Sequence, residues 1–224
     1  YAADSQPLDY KAMTRQRITQ ISALFSTQQR ETRKNKHSKS KKMDKMIQKL
    51  VQKTIDRFYE AYDTFLGFDR DSIPVELRLN YYSAEEPTYR TMLDLLRAMA
   101  YGTLEENKAR TAKLLQNLEY YIIAVENIQI AFELGTMSEE EIKAEAKNVE
   151  REWRECNEGA KGLCNVKDEY LRIYLRMMYN RRVTLVAYPL NMLIEEQKFR
   201  AAEERIRRVQ YGFKFAKMLI HQVL

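Results

Sequence analysis

The stretch LLQNLEYYIIAVENIQIAFELG, residues 114–135, decides the fold. Its apolar residues recur at steps of four and three, which is the period of one face of an α-helix. That face comprises Leu114, Leu118, Tyr121, Val125, Ile128 and Phe132, and a second face carries Leu115, Ile122 and Ile123. A helix that is apolar on two faces is buried on both. The stretch therefore predicts a central helix with other helices packed around it.

The sequence on either side predicts further long helices. Glycine (6) and proline (4) are scarce among the 224 residues, so there are few turns, and many short strands are excluded. We predict helices over about 42–66, 88–101, 103–134, 138–156 and 166–224, the last interrupted at Pro189, with a loop over 67–87. The predicted fold class is all-α, with long antiparallel helices and helical hairpins in a bundle or a short hairpin-repeat array.

The last predicted helix carries a heptad seam. Its apolar positions alternate steps of three and four: Phe199, Ala202, Ile206, Val209, Phe213, Ala216, Ile220 and Val223. Such a seam is buried along its length, either against a helix of the same chain, with the 43–65 helix as one candidate, or in a coiled coil with a partner chain. For the second alternative, the candidate partner-binding residues are Phe199, Ile206, Val209, Phe213 and Ile220.

A polar and strongly basic segment precedes the first long helix. No apolar residue occurs between Ser26 and Lys42, and residues 30–49 contain nine basic and two acidic side chains. We therefore divide the chain into an N-terminal helical segment (1–25), a polar basic tether (26–42) and a helical main domain (43–224). The tether is expected to dock on an acidic partner through its cations, Arg33, Lys34, Lys36, Lys39, Lys41 and Lys42.

An internal repeat occurs near the centre of the chain. Gly102-Thr103-Leu104 followed by two glutamates recurs 33 residues later, at Gly135-Thr136-Met137, a spacing typical of stacked helical hairpins. The stretch TYRTMLDLLRAMAYGTLEENKARTAKLLQNL (88–118), continued over 120–153, resembles pentatricopeptide-type repeats. In that family a small polar residue just after the tyrosine reads RNA bases, whereas here Arg90 and Ile122 occupy the position. The resemblance therefore implies a hairpin-repeat adaptor that binds protein.

Motifs of catalysis and of cofactor binding are missing from the sequence. The only histidines are His37 and His221, no HExxH or phosphate-binding glycine loop occurs, and we expect no cofactor, no metal and no enzymatic activity. Glu119, Glu126 and Glu133 recur every seven residues on the central helix. Such a line is typical of a salt-bridged or solvated face.

The two cysteines bear on the compartment. Cys156 and Cys164 would lie about 12 Å apart in a continuous helix, too far for a disulfide. Gly159 and Gly162 allow the segment to curl, so either a disulfide in an oxidising compartment or two reduced cysteines fits the spacing. The chain starts at Tyr1. It is interpreted as a fragment or as a protein of an organelle matrix, mitochondrial for example, or an exported protein, after removal of a targeting peptide.

Charge distribution completes the functional hypothesis. The net charge of +6 conceals a middle part, 50–169, with 24 acidic and 15 basic residues between two basic ends. We predict a non-enzymatic helical structural or adaptor subunit that bridges or scaffolds a protein assembly. The alternative is an RNA-binding protein that uses segment 30–49 and the basic C-terminal part, with Arg172, Arg176, Arg181 and Arg182. No apolar run is long enough for a membrane span.

Overall fold

The structure, a computed structural model, describes residues 41–99 and 108–223, and it is helical with no strand within these ranges. The α-helices are α1 (Lys41–Gly67), α2 (Val75–Met99), α3 (Lys108–Glu133), α4 (Glu139–Ala160), α5 (Glu169–Tyr179), α6 (Leu185–Ala187), α7 (Leu190–Glu195) and α8 (Phe199–Val223). Short 3₁₀ turns cover Arg70–Ser72 and Lys161–Asn165, and a π-helical turn covers Asn180–Thr184. The predicted all-α fold class is confirmed.

The first three helices share an aromatic core. Helices α2 and α3 are antiparallel, and α1 packs on α3. The ring of Tyr81 stacks on Phe65, with 3.5 Å between centroids, and its hydroxyl lies 2.5 Å from that of Tyr121. Burial raises the pKa of both tyrosines far above 10, so the hydrogen-bonded pair stays neutral. Leu114, Leu118 and Ile128 are fully buried, as the central-helix prediction requires, whereas Phe132 is 45 % exposed at the end of α3.

The predicted loop over 67–87 is wrong from Val75 onward, because α2 begins there and continues through Pro87. A proline inside a helix removes one backbone hydrogen bond. Hydrogen bonds of Thr88 and Asn117 hold this part of α2 against α3. The Thr88 hydroxyl lies 2.8 Å from the carbonyl oxygens of both Ala84 and Asn117. The Asn117 amide in turn lies 3.4 Å from the Pro87 carbonyl oxygen. The glycine turn at residue 102 lies outside the described residues, so the repeat resemblance stays a prediction.

In the second half of the chain, α8 packs along α4. The predicted start of α4 is confirmed, because Ser138 and Glu141 form a capping box. The seam residues Ala202, Ile206, Val209, Phe213 and Ala216 are buried within this chain. The seam is thus internal, and its main packing helix is α4 rather than α1.

Two predictions fall largely outside the described residues. The N-terminal segment (1–25) lies outside them, and so does the tether (26–42) except for its last two residues. Lys41 and Lys42 form the start of α1, so the helix begins two residues earlier than the domain boundary predicted from sequence. Within residues 41–99 and 108–223, no helix is both long enough and apolar enough to cross a membrane.

Candidate protein-binding site

An irregular helical path connects α4 to α8. Asp168 caps α5 by accepting a hydrogen bond of 2.9 Å from the Leu171 amide. After Tyr179 the backbone widens into the π-helical turn, continues as α6 and, past Pro189, as α7. Pro189 supplies no backbone N–H, which explains the break between α6 and α7. Single π turns inside helices often mark functional sites, and this turn carries Arg182, which forms ion pairs with two glutamates of α3.

The π turn is held by a buried ionic network. Arg182 is only 4 % exposed, and its guanidinium donates two hydrogen bonds, of 2.5 and 2.9 Å, to the Glu126 carboxylate. Its Nε lies 3.9 Å from the carboxylate of Glu119, which is fully buried and forms an ion pair with Arg57 of α1. The phenyl ring of Phe215 lies between the two guanidiniums, 5.3 Å from Arg57 and 5.5 Å from Arg182.

This network keeps Arg182 charged although it is buried. Burial lowers the pKa of Arg182, but the carboxylates of Glu126 and Glu119 raise it further, so its guanidinium stays charged. The fully buried Glu119 and the largely buried Glu126 face two arginines, so the charges of the network balance. Removing one partner would leave a buried charge uncompensated, at a cost of several kcal/mol. The network therefore ties α1, α3 and the π turn into a single arrangement.

A close helix approach secures the π turn from the other side. Gly212 of α8 packs directly on the backbone of Arg182, and a Cβ atom at that position would overlap the Arg182 carbonyl oxygen. A glycine at this position lets α8 approach the turn at backbone distance. Further along α8, Arg205 donates a hydrogen bond of 3.3 Å to the carbonyl oxygen of Leu185. The path from α5 to α6 is thus held rigidly against the bundle.

The outer side of this rigid path is apolar and exposed. Its large apolar residues follow one another at steps of three, four, eight, three and four, and steps of three and four place neighbouring residues on the same side of a helix. Leu185 is 63 % and Tyr188 is 80 % exposed. The complete set is Tyr170, Ile173, Met177, Leu185, Tyr188 and Met192. We call these six residues, with the neighbouring exposed Arg176 and Arg181, the arginine face.

The charge of the arginine face has one sign. From Tyr170 to Met192 the chain contains four arginines and no acidic residue. Arg182 is turned inward, while Arg176 and Arg181 are exposed. The Arg181 guanidinium lies 4.9 Å from the ring centre of Tyr120 and hydrogen-bonds its hydroxyl, which holds this cation in place. Tyrosine, methionine and arginine are the residues enriched at protein–protein interfaces.

A second group of paired polar side chains lies between α3, α4 and α8. Arg207 contacts Glu133 at 3.2 Å and Glu203 at 3.0 Å, and the Glu203 carboxylate accepts a hydrogen bond of 2.8 Å from the Gly135 amide. Gly135 has φ +85°, a backbone conformation that glycine adopts without strain. Its hydrogen bond to Glu203 attaches the turn between α3 and α4 to α8. Glu133 and Arg207 also line an open groove of about 520 Å³, together with Glu152 and Lys217, which form an ion pair with each other.

The structure separates the residues that sequence reasoning grouped together. The acidic line on α3 is a salt-bridged face, as predicted, because Glu119, Glu126 and Glu133 each contact an arginine. The grouping of four C-terminal arginines as a phosphate-binding set is wrong for Arg182, which is buried, and Arg172 bonds the Val166 carbonyl oxygen at 3.3 Å.

The seam residues offered as partner-binding candidates face inward. Ile206, Val209 and Phe213 are fully buried in the chain's own core, and Phe199 and Ile220 are half-buried. They hold α8 in the bundle and do not form a surface on which a partner could bind.

Cys156 and Cys164 are both free in the structure, the first buried and the second exposed. The predicted disulfide is not formed, because α4 continues as helix to Ala160 instead of curling after Cys156. Burial raises the pKa of Cys156, which keeps it a thiol.

No metal-ligating cluster of histidine, cysteine, aspartate or glutamate occurs among the described residues. Comparison of this chain with protein families, with curated proteins and with solved structures finds no match.

Proposed function

We propose that this chain is a non-enzymatic adaptor subunit that joins a larger protein assembly through the arginine face. The observation that carries the proposal is a row of six exposed, large apolar side chains on a helical path that is held rigid from behind. Contiguous apolar surface of this kind marks interaction sites. A rigid face binds with little ordering cost, so its apolar area is converted into affinity more efficiently.

The partner inferred from the chemistry of the face is an acidic amphipathic helix of another protein. Apolar anchors at steps of three and four match the apolar stripe of a helix laid alongside. Arg176 and Arg181 are exposed beside the anchors, and the chain from Tyr170 to Met192 contains no acidic residue. Carboxylates of the partner would pair with these guanidiniums, and such pairing selects partner and register more than it adds affinity.

The test uses the full chain, tagged and isolated from its native source under gentle conditions. Ile173→Glu and Leu185→Glu place a negative charge at exposed anchors and leave the core untouched. The matched control is Ala144→Glu, which adds the same charge at an exposed position of α4. We expect a fixed set of subunits, identified by mass spectrometry, with wild type and with the control, and loss of that set with both face variants. Retention of the set in both face variants would contradict the proposal.

RNA binding is the second candidate, because Tyr170 and Tyr188 are exposed near the arginines and bases stack on such rings. A labelled single-stranded RNA, titrated in salt, distinguishes the two functions. RNA binding would replace the adaptor function if the wild-type chain bound RNA, both glutamate variants abolished that binding, and no set of subunits were isolated with the wild-type chain.

A further inference from the structure

A second exposed apolar stripe lies on the first turns of α2, next to the end of α1. Val75 and Leu79 are each 60 % exposed and Tyr82 is 47 % exposed, at steps of four and three. Phe132 of α3 is also exposed, and its ring lies 5.4 Å from that of Phe68, which follows α1. We call Val75, Leu79 and Tyr82, with the acids around them, the acidic stripe.

The acidic stripe is backed by the aromatic core. The ring of Tyr82 packs edge-on against Tyr81, with 5.5 Å between centroids. Tyr81 is itself fixed by its stack on Phe65 and its hydroxyl contact with Tyr121. The exposed side chains of the acidic stripe are thus backed by well-packed core residues, which lowers the conformational-entropy cost of binding.

Charge around the acidic stripe is opposite to that of the arginine face. Between Asp63 and Glu86 the chain has six acidic and two basic side chains. Asp71, Glu76 and Glu86 are exposed, and Glu86 pairs with Arg90 one turn further along α2. Burial raises the pKa of Glu85, while Arg70 opposes that effect. Polyanions such as nucleic acids and anionic lipid surfaces are repelled by a surface of this sign.

We infer that the acidic stripe is a second docking surface, which takes a basic amphipathic helix of another protein. A helix with apolar residues at steps of three and four would lay them between Val75, Leu79 and Tyr82, with its cations facing the surrounding carboxylates. The acidic stripe covers two helical turns, whereas the arginine face extends from Tyr170 to Met192. The two faces therefore differ in length, and this difference disfavours binding of the arginine face of a second copy to the acidic stripe. This inference extends the proposed adaptor function and gives the chain two binding faces of opposite charge.

The test titrates the full chain with a fluorescent synthetic helix of leucine and lysine, its leucines three and four residues apart, and follows anisotropy. A shuffled peptide of the same composition measures charge attraction alone. We expect the amphipathic peptide to bind more tightly than the shuffled one. Leu79→Ser and Tyr82→Ser should each weaken its binding roughly tenfold, as for truncated anchors at an interface. The matched control is Ile173→Ser on the arginine face, which should bind as wild type does.

Thermal unfolding followed by circular dichroism verifies that the serine variants fold, which their exposure predicts. Equal binding of the shuffled peptide, or unchanged binding in both stripe variants, would overturn the inference. Concentration-dependent oligomers of the chain alone, abolished by Leu79→Ser, would overturn it in favour of a second copy as occupant. Because the adaptor function is tested at Ile173 and Leu185, failure at the acidic stripe and failure of the adaptor proposal are separate outcomes.

Discussion

Replacing Gly212 by alanine tests the contact between α8 and the π turn. A Cβ atom there would overlap the carbonyl oxygen of Arg182 and lie 2.8 Å from its carbonyl carbon. Both atoms belong to the backbone, and Arg182 is held by its own ion pairs. The turn therefore cannot yield as a flexible side chain would.

The magnitude follows from two opposing effects. Alanine in place of glycine inside a helix gains up to about 1 kcal/mol from propensity. Overpacking costs about 1–3 kcal/mol and more where backbone must move. Because both clashing atoms are backbone, we expect a cost somewhat above that range, about 4 kcal/mol, so that Gly212→Ala loses about 3 kcal/mol net. For a domain of this size such a loss lowers Tm by roughly 6–12 °C.

Two other glycines serve as controls in the same thermal unfolding assay. A Cβ at Gly67 would meet nothing within 4 Å, so Gly67→Ala should be neutral or slightly stabilising. A Cβ at Gly159 would lie 3.0 Å from Cδ1 of Ile220, a flexible side-chain end, so Gly159→Ala should cost less than about 1 kcal/mol. If Gly212→Ala melted within a degree or two of wild type, the close approach of α8 to the π turn would be refuted.

Three further predictions concern charge and burial. Glu119→Gln should cost about 3 kcal/mol in urea unfolding, because it leaves Arg57 without its partner charge and Arg182 with Glu126 alone. Glu133→Gln, at a partly exposed pair, should cost below about 1 kcal/mol; equal effects would contradict the difference in burial. Val209→Asp should abolish the helical circular dichroism signal of the isolated chain, because the seam is internal and an unpaired charge would be buried, while Lys214→Asp on the exposed side of α8 should keep it. Burial raises the pKa of Glu203, but hydrogen bonds from the Gly135 amide and from Arg207 outweigh burial and hold it below 4.5. The ionised carboxylate therefore stabilises the fold fully above pH 4.5, and this stabilisation is lost as the pH falls through the lowered pKa of Glu203 in the folded protein. The free energy of unfolding should depend less on pH in this range in Glu203→Gln than in wild type. An unchanged pH dependence would argue against the contact.

Sequence periodicity was sufficient for the fold class and for most helices, since the 3.6-residue pattern of α1 and α8 is strong and α3 has apolar residues at helical spacing on two faces. It failed at Pro87, through which α2 continues as helix, because a proline in the sequence is ordinarily a sign of a helix end. The sequence predicted that Glu119, Glu126 and Glu133 share one face of α3. It did not predict which arginines they contact, because Arg57, Arg182 and Arg207 are distant in sequence.

The arginine face was missed for a specific reason. Helix α5 is apolar on two sides: Leu171, Leu175 and Met178 are buried, while Ile173 and Met177 are exposed. Both stripes have helical spacing, so the pattern alone does not tell which one the chain itself covers. Burial of the inner stripe by α3 and the π turn settles that choice, and it depends on the packing of the whole bundle.

The ionic network on α3 also has a consequence for synthesis of the chain. Glu119 is 62 residues from Arg57, Glu126 is 56 from Arg182 and Glu133 is 74 from Arg207. While the ribosome has made the chain only as far as α4, two of these three acids have no cation to meet, and the close contact of α8 with the π turn does not exist. Closure of the bundle therefore waits for α8, and a nascent chain that stalls before α8 exposes the apolar surfaces that this helix covers. Exposed apolar surface of this kind makes a partly folded chain prone to aggregation until α8 has been synthesised.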